Sequence, residues 1–280
     1  MKTYLDCFPC FVKQALKAGR RATDDQEVIK KLIDRVGDML KDIPLETTPP
    51  ETGEIIYNLV REYTGIDDPF KKIKQQNIQE ALSLMPYLRK LIKESDDPLM
   101  TAVRIAIAGN VMDMGVNLEY KIEKDLDIIL NQDFGIFDFE KFKTAIQKAD
   151  SVLYLGDNAG ESVFDRILIE EIRKPVVYVV RDKPVINDAT YEDAIASGLD
   201  SVAEIISNGS SAPGTILKTC SKEFVERFKA AELIISKGQG NYEGLSENEK
   251  QIFFLLKAKC EIIANDLGVK LNDIVLKASL

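Results

Sequence analysis

The chain has 280 residues, 45% of them hydrophobic and 30% charged, enough to bury a sizeable core in one large domain or two smaller ones. Its net charge of −9 disfavours binding to nucleic acid or to an anionic membrane, because both partners would repel it. The sequence contains no histidine, so Ser-His-Asp triads, Cys-His pairs and histidine-ligated zinc sites are excluded.

Residues 1–148 are predicted to form an N-terminal helical region. Apolar residues recur on one helix face over the segment Asp24–Lys41. Thr48-Pro49-Pro50-Glu51 is typical of a helix start, and the helix that it opens is expected to run to about Tyr63. Two further helices are predicted over the segments Pro69–Lys93 and Pro98–Met114.

Residues 149–280 are predicted to form an α/β domain, because short β-rich runs alternate with helical ones and imply a mostly parallel sheet covered by helices. The predicted strands are Ser151–Gly156, Pro175–Arg181, Val202–Ser207, Leu233–Ser236 and Ile274–Lys277. The predicted helices are Glu161–Arg173, Ala189–Ser197, Lys222–Lys229 and a long one, Ser246–Leu267. The boundary at residue 148 is soft, because the early helices can pack directly on the sheet.

The localisation expected from the sequence is cytoplasmic. No apolar run approaches the roughly 18 to 20 residues that a membrane helix needs. The start of the chain lacks the apolar segment of a signal peptide. The 4 cysteines are too few for a disulfide framework in a chain of this length.

Unusual polar and glycine residues follow the predicted strands, where ligands bind in open α/β sheets. These segments are Gly156–Glu161, Asn187–Asp193, Ser207–Ser210 and Ser236–Glu243. Four separate segments therefore bring carboxylates, amides, a lysine and flexible glycines to one edge of the sheet. This convergence predicts an active site.

The residue types at this edge predict a metal site. Asp157 supplies a charged oxygen and Asn158 a neutral carbonyl oxygen, a pair suited to a hard divalent cation. A further carboxylate, from Asp193 or Asp188, would complete a sparse ligand set. Such a cation can polarise a phosphoryl oxygen and lower the pKa of a bound water. Lys237 has the charge to clamp a phosphate.

Each of these motifs also has a simpler structural explanation. Asp157-Asn158 suits a turn that caps the next helix, and Asp193 suits a solvated helix position. The glycines around Lys237 suit a plain turn. Gly209 and Gly214 have a functional interpretation as well, because they would let a second loop approach a substrate closely. Their joint occurrence on one predicted edge favours the functional interpretation.

Three motifs together resemble the damage-control phosphatase family, whose acidic-residue-methyltransferase-like metal-binding domain is also catalogued as domain of unknown function eighty-nine. The motifs are Gly156–Glu161 followed by Val163-Phe164-Asp165, Asn187–Thr190 followed by Asp193, and Lys237–Glu243. Cys7-x-x-Cys10-Phe11 and Arg104-x-x-x-x-Gly109-Asn110-x-x-Asp113 are similar to the compact archaeal and bacterial branch. The resemblance runs the length of the chain.

The resemblance implies an N-terminal helical region packed on a three-layer α/β/α sandwich, and phosphatase activity on small phosphorylated metabolites that depends on Mn²⁺, Co²⁺, Ni²⁺ or Mg²⁺. The implied metal ligands are Asp157, Asn158 and Asp193, and Lys237 is the phosphate-contacting lysine that completes the catalytic set. The candidate substrate contacts are Glu161, Asn208, Gly209, Gly238 and Asn241. Gln239 and Glu243 stand where the eukaryotic sugar-phosphate branch has an acid and an arginine, so the physiological substrate stays open.

Two other functions compete with this interpretation. An S-adenosylmethionine-dependent carboxyl methyltransferase usually has more glycines after its first strand than Gly156–Gly160 offers, although Asp182 stands where such an enzyme has an acid. A non-catalytic metabolite-binding protein would use the same pocket. The sequence does not determine the native metal or the attacking nucleophile. It also leaves the oligomeric state open, and a homo-oligomer is one of the alternatives.

Two pairs of residues have ambiguous roles. Cys7 and Cys10 form either a metal or redox site, alone or together with Cys220 or Cys260, or part of a buried helix face. Asn110 and Asp113 lie one helical turn apart, where they would either reach the site or serve as a helix cap or in a buried hydrogen bond.

Overall fold

The N-terminal region is helical in the computed structural model, which describes residues 1–111 and 126–279. Its helices are α1 (Cys7–Ala22), α2 (Gln26–Leu40), α3 (Pro49–Thr64), α4 (Lys71–Ser83), α5 (Met85–Glu94) and α6 (Pro98–Val111). Residues 126–131 are also helical. No helix in these described ranges is long and apolar enough to cross a membrane.

The predicted helix starts and ends are largely confirmed in this region. Thr48 and Glu51 form a capping box at the start of α3, and Gly65 ends that helix in the left-handed conformation at φ 69°. The predicted helix Pro69–Lys93 is instead two helices, because Pro86 lies in the first turn of α5, where its missing N–H is tolerated. The predicted end at Met114 lies outside the described residues.

The rest of the chain forms one sheet with helices between its strands. The strands are β1 (Phe134–Phe137), β2 (Val152–Leu155), β3 (Val176–Val180), β4 (Glu204–Ser207), β5 (Leu233–Lys237), β6 (Ile252–Lys257) and β7 (Ile274–Ala278). The helices are α7 (Phe139–Lys148), α8 (Glu161–Ile172), α9 (Tyr191–Ala196), α10 (Lys222–Ala230), α11 (Gly238–Leu245) and α12 (Glu261–Leu267), with a short 3-10 helix at Leu199–Ser201.

The strand order is β1-β7-β6-β5-β2-β3-β4, and every pair is parallel except β6 with β7. The predicted α/β class with a mostly parallel sheet is confirmed. The prediction that residues up to about 148 are all helical is wrong at β1, which pairs with β7. The division into two domains at residue 148 stays a prediction.

The predicted helix Ser246–Leu267 is wrong. The chain instead forms β6 and then α12, joined by a short connection. Ile252–Leu256 is a continuous apolar run, and all five side chains are buried because helices cover both faces of the sheet. Such a run fits a buried strand as well as a buried helix, so periodicity does not distinguish the two.

Apolar residues of β2 pack on both faces of the sheet. Val152 and Tyr154 join a core that includes residues of α4, α5, α6 and α8, and Leu153 and Leu155 join a second core that includes residues of α10, α11 and α12. A third cluster includes residues of α1, α2 and α3 together with Phe70 and Val185. The helices α4, α5 and α6 therefore share a core with the sheet, and β2 is covered on both sides. Its carboxyl end opens at the edge where the predicted motifs lie.

Candidate metal centre and active site

The loop after β2 is joined to the loop after β3. Asn158 and Asp188 form an isolated antiparallel bridge. The backbone N–H of Ala159 donates to the carbonyl of Asn187 at 2.8 Å, and that of Ala189 donates to the carbonyl of Asp157 at 2.8 Å. Two of the motif segments predicted from sequence therefore lie side by side, and the Asp157-Asn158 backbone is fixed from both directions.

The carboxylates of Asp157 and Glu161 share the same amide donors. The Nδ2 atom of Asn110 lies 3.0 Å from Oδ2 of Asp157 and 2.5 Å from Oε1 of Glu161. The Nδ2 atom of Asn158 donates to the same two oxygens, at 3.2 Å to Asp157 and in a short hydrogen bond to Glu161. Asn110 comes from α6, so a helix of the N-terminal region contributes directly to the site.

Asp157 is only 8% exposed and lies close to other acidic side chains. Burial, followed by the charges of Glu161 and Asp188, raises the pKa of Asp157 well above its ordinary value, and Lys259 and Arg181 offset this only in part. A cation bound here would relieve the repulsion. The oxygen-rich donor set of the site therefore fits a hard divalent ion.

Carboxylates alone do not form this candidate site. Within the described ranges, no group of three or more aspartate, glutamate or cysteine side chains has the arrangement to hold a metal ion. Amide oxygens would have to complete the ligand set, as predicted for Asn158. Carbonyl oxygens are good ligands for the same hard cations that carboxylates bind.

Lys237, at the end of β5, lies completely buried beside two carboxylates. Its Nζ atom is 2.5 Å from Oδ1 of Asp165 and 3.3 Å from Oε2 of Glu161. Asp165 also accepts hydrogen bonds from the hydroxyls of Tyr154 at 2.8 Å and Tyr178 at 2.9 Å. Lys237 therefore links the site to a buried polar cluster, and its predicted phosphate contact stays a prediction.

Gly238 and Asn241 begin α11 directly behind Asp157. Gly238 has φ 77°, and a Cβ atom at this position would collide with the Asp157 carboxylate, so both the conformation and the space require glycine. The Nδ2 atom of Asn241 donates to the carbonyls of Gly156 at 3.0 Å and Lys237 at 2.8 Å. Asn241 thereby ties the end of β2 to the end of β5.

Arg181 is a buried site residue whose role the sequence did not indicate. It is 2% exposed, and its Nε atom donates to Oδ2 of Asp188 at 2.8 Å. One of its terminal nitrogens donates to Oδ1 of Asn241 at 3.0 Å, and Thr215 donates to the same oxygen at 2.8 Å. The position of Arg181 at the end of a predicted strand is the feature of the sequence that could have placed it in the site. Its burial, however, depends on the loops that pack over it in the folded chain.

Asp193 occupies a separate part of the site. Its Oδ2 atom caps α9 by accepting from the backbone and hydroxyl of Thr190, at 3.0 Å and 2.7 Å. The same atom lies 2.7 Å from Nζ of Lys74, which also pairs with Asp68 at 2.8 Å. Among the described residues no hydrogen bond joins Asp193 to Asp157. Lys74 was missed because a lysine within a helix usually faces solvent, whereas this one is 2% exposed.

The loop after β4 holds Asn208, Gly209 and Gly214. Asn208 is fully buried; its Oδ1 atom accepts from the backbone of Ser210 at 2.9 Å, and its Nδ2 atom has no partner in the part of the chain that the structure describes. Gly209 has φ 74°. A side chain at Gly214 would collide with the carbonyl of Gly240, so this loop lies directly against α11.

Comparison with known proteins identifies the family. Residues 3–275 match the family model described as the damage-control phosphatase ARMT1-like domain. The chain belongs to this family. It is 37% identical to the uncharacterized protein MJ0202 of Methanocaldococcus jannaschii over 97% of this chain and 93% of that protein. It is 35% identical to the damage-control phosphatase PH1575 of Pyrococcus horikoshii over 98% of this chain and 97% of that protein.

The fold agrees with this assignment. A crystal structure of a DUF89 family protein from Pyrococcus horikoshii matches this chain with a TM-score of 0.94 at 33% identity, and 100% of each chain is covered. The family resemblance drawn from the motifs is therefore confirmed. The individual site residues predicted from those motifs stay predictions.

The cysteines of this family member are all free. Cys7 is partly buried at the start of α1, while Cys10 is exposed. Burial raises the pKa of the Cys7 thiol, which makes it a poor nucleophile at neutral pH. The alternative prediction, that both thiols lie on a buried helix face, is therefore met only in part, because Cys7 is partly buried and Cys10 is exposed. Asp113 lies outside the described residues.

We expect the titration of Glu243 to make the stability of this family member depend on pH. It accepts a hydrogen bond from Gln239 at 2.8 Å, and burial raises the pKa of Glu243 from 4.5 to about 7. The folded chain therefore holds this proton more tightly than the unfolded chain, and the resulting stabilisation is present below pH 4.5 and lost as the pH rises through 7.

We expect the free energy of unfolding of the natural protein to fall between pH 5 and pH 8 relative to the Glu243→Gln variant, by at most about 1.4 kcal/mol per pH unit. Glutamine stays neutral over this range, so the difference between the two proteins isolates the titration of Glu243. Urea unfolding at four pH values measures it. Parallel stability curves for the two proteins would contradict the prediction.

Proposed function

We propose that the protein is a divalent-metal-dependent phosphatase that hydrolyses phosphate esters of small phosphorylated metabolites. Relatives named damage-control phosphatases support a phosphatase of this family. The observation that carries the metal dependence is the buried group at the end of β2. There Asp157 and Glu161 lie together with two asparagine amides, and Lys259 and Arg181 lower the pKa of Asp157 by less than burial, Glu161 and Asp188 raise it.

The proposed ligands are Asp157, Asn158 and Asp193. Asn158 turns its NH₂ group to the two carboxylates, which leaves its carbonyl oxygen for a ligand. On Asp193 the hydrogen bonds converge on Oδ2, which leaves Oδ1 for the same purpose. Mn²⁺, Co²⁺, Ni²⁺ or Mg²⁺, when bound, would polarise a phosphoryl oxygen and lower the pKa of a water ligand.

The other residues of the site would orient these ligands and the substrate. Lys74 and Thr190 hold Asp193, and Gly238 leaves the space that the Asp157 carboxylate fills. A phosphate contact by Lys237 requires its ammonium to exchange Glu161, at 3.3 Å, for a phosphoryl oxygen while it keeps Asp165 at 2.5 Å. Glu161, Asn208 and Gly209 remain candidate substrate contacts at the same edge, with Gly238 and Asn241 behind them.

The backbone after β2 argues against the methyltransferase alternative. A nucleotide-type cofactor is bound in α/β folds by free backbone N–H groups in a glycine-rich loop after the first strand. Here the N–H of Ala159 already donates to Asn187, and the bridge between Asn158 and Asp188 closes the loop. Asp182, the acid expected to contact such a cofactor, accepts a hydrogen bond from Ser207 instead.

The test is a titration of metal-free protein with Mn²⁺, Co²⁺, Ni²⁺ and Mg²⁺ during hydrolysis of p-nitrophenyl phosphate, followed by a screen of phosphorylated metabolites with the best ion. We expect no turnover in EDTA and saturable activation by at least one ion. Absence of turnover with every ion, together with binding of S-adenosylmethionine in a calorimeter, would overturn the proposal in favour of its rival. Binding of a metabolite without turnover would favour the non-catalytic alternative.

A further inference from the structure

Asn110 makes the same contacts as Asn158, although it comes from a different part of the chain. Both side chains donate through Nδ2 to Oδ2 of Asp157 and Oε1 of Glu161. Asn158 follows β2, whereas Asn110 lies near the end of α6 and is 4% exposed. Two amide groups therefore frame one pair of carboxylate oxygens.

The orientation of the Asn110 amide is determined by its neighbours. A bound cation keeps both carboxylates ionised, and ionised carboxylates only accept hydrogen bonds, so the NH₂ group faces Asp157 and Glu161. Rotation of the amide by 180° would place its oxygen against two carboxylate oxygens. The carbonyl oxygen of Asn110 is therefore directed to neither carboxylate.

This carbonyl oxygen is buried and accepts no hydrogen bond from any residue in the ranges 1–111 and 126–279. A buried acceptor without a partner costs about 1–3 kcal/mol, and nearly all such atoms in native proteins are satisfied. A buried acceptor that lacks a partner in the protein needs a specific explanation, and a bound ion is one. The unpaired oxygen belongs to the same amide group that contacts Asp157, so it lies at the edge of the candidate metal centre.

We propose that Oδ1 of Asn110 is an additional oxygen ligand of the divalent cation held by Asp157 and Asn158. The proposal rests on the metal site of the proposed function and extends its ligand set to α6. An amide oxygen is a neutral ligand suited to Mn²⁺ or Mg²⁺, and it adds no charge to a site already rich in carboxylates. Metal binding would then join the N-terminal helices to the sheet through α6.

Two substitutions separate ligation from simple positioning of the carboxylates. Asn110→Ala removes both the oxygen and the NH₂ group. Asn110→Asp retains an oxygen ligand but replaces the NH₂ donor with a second oxygen that repels Asp157 and Glu161. If Asn110 binds the cation, the aspartate variant keeps its Mn²⁺ affinity, since the cation offsets that repulsion. If Asn110 only positions the carboxylates, the aspartate variant loses affinity at least as strongly as the alanine variant.

The measurement is calorimetric titration of metal-free protein with Mn²⁺ in the absence of substrate, with water-proton relaxation to count water molecules bound to the ion. We expect Asn110→Ala to bind Mn²⁺ at least about 10-fold more weakly, which is the loss of affinity found when groups around a metal are removed. We also expect the ion in this variant to gain one bound water. We expect Asn110→Asp to bind Mn²⁺ within about threefold of the natural protein, because one oxygen ligand replaces another.

Thr52→Val is the matched control. Thr52 of α3 is 1% exposed, and its hydroxyl oxygen likewise has no partner among the described residues, but Thr52 is not a residue of the candidate site. Its replacement should leave Mn²⁺ affinity and hydration unchanged. Thermal unfolding of each variant in EDTA shows that the metal-free fold persists.

The inference is overturned if Asn110→Ala keeps the natural affinity, if it weakens binding without a gain of water, or if Asn110→Asp loses more than about 10-fold in affinity. Failure of the natural protein to bind any of the four ions also overturns it. Metal binding that follows the expected pattern in a protein without phosphatase activity would contradict the proposed function and leave the assignment of Asn110 intact.

Discussion

Asp157→Asn is expected to reduce turnover by about 10³-fold or more, the loss of rate found when a central electrostatic group is removed from an active site. The stability of the metal-free fold should not fall. The carboxylate is the charged ligand of the proposed centre, and asparagine preserves its shape beside Gly238. In the absence of metal the same charge is repelled by Glu161 and Asp188, so its removal relieves strain. The expected result is an inactive protein with an unchanged or raised melting temperature in EDTA.

Asp193→Asn provides the comparison, because the two predicted ligands have different surroundings. Both variants should lose turnover and metal affinity. Asp193, however, carries the charge opposite the buried Lys74 ammonium, and asparagine leaves that cation with Asp68 as its acidic partner in the part of the chain that the structure describes. We expect a loss of about 1–3 kcal/mol in the free energy of unfolding for this variant.

Turnover is measured by kinetics across a wide range of Mn²⁺ concentration, metal affinity by calorimetry, and the stability of the metal-free fold by thermal unfolding in EDTA. Near-natural turnover of either variant in saturating metal would show that the ligand assignment is wrong. A melting temperature that falls equally in both variants would contradict the electrostatic account of Asp157 and leave the ligand assignment untouched.

The sequence predicts those elements whose pattern reflects local geometry. The strands β2 and β3, the helix α8 and the capping box before α3 follow from short apolar runs bounded by Gly156 and Pro175, and from Thr48-Pro49-Pro50-Glu51. The run Ile252–Leu256 is just as apolar, but no glycine or proline separates it from the residues up to Leu267, so the pattern predicts one long helix there. A strand covered on both faces has no alternating pattern, and without a boundary residue it is not distinguished from a buried helix.

The candidate site was predictable where it follows strand ends and unpredictable where tertiary packing assigns a role. Asp157, Asn158 and Gly238 lie together because parallel strands end at one edge of the sheet. Lys74 lies in a predicted helix, where a lysine usually faces solvent, and Arg181 lies at the end of a predicted strand, a position that does not by itself indicate burial. They become site residues only because helices and loops close over them and exclude water, which a single sequence does not encode locally.

Lys237→Met is expected to destabilise the protein by about 3–5 kcal/mol, the cost of leaving a buried charge without its partner. Lys237 is fully buried and pairs with Asp165 at 2.5 Å and with Glu161 at 3.3 Å. Methionine fills similar volume but leaves Asp165 with the hydroxyls of Tyr154 and Tyr178 as its donors among the described residues. Thermal and urea unfolding should show a melting temperature lower by on the order of 10 °C. The exposed Lys270→Met is the control and should have little effect.

A second substitution separates the structural role of Lys237 from its predicted phosphate contact. Asp165→Asn removes the charge that Lys237→Met leaves unpaired, so the double variant should recover part of the lost stability, with a coupling energy within about 0.5–3 kcal/mol. Recovery of stability without recovery of turnover is expected if the ammonium also contacts the substrate phosphate. Recovery of both would assign Lys237 a purely structural function. Additive destabilisation by the two substitutions would contradict the ion pair as the source of the effect, because uncoupled residues lose stability independently.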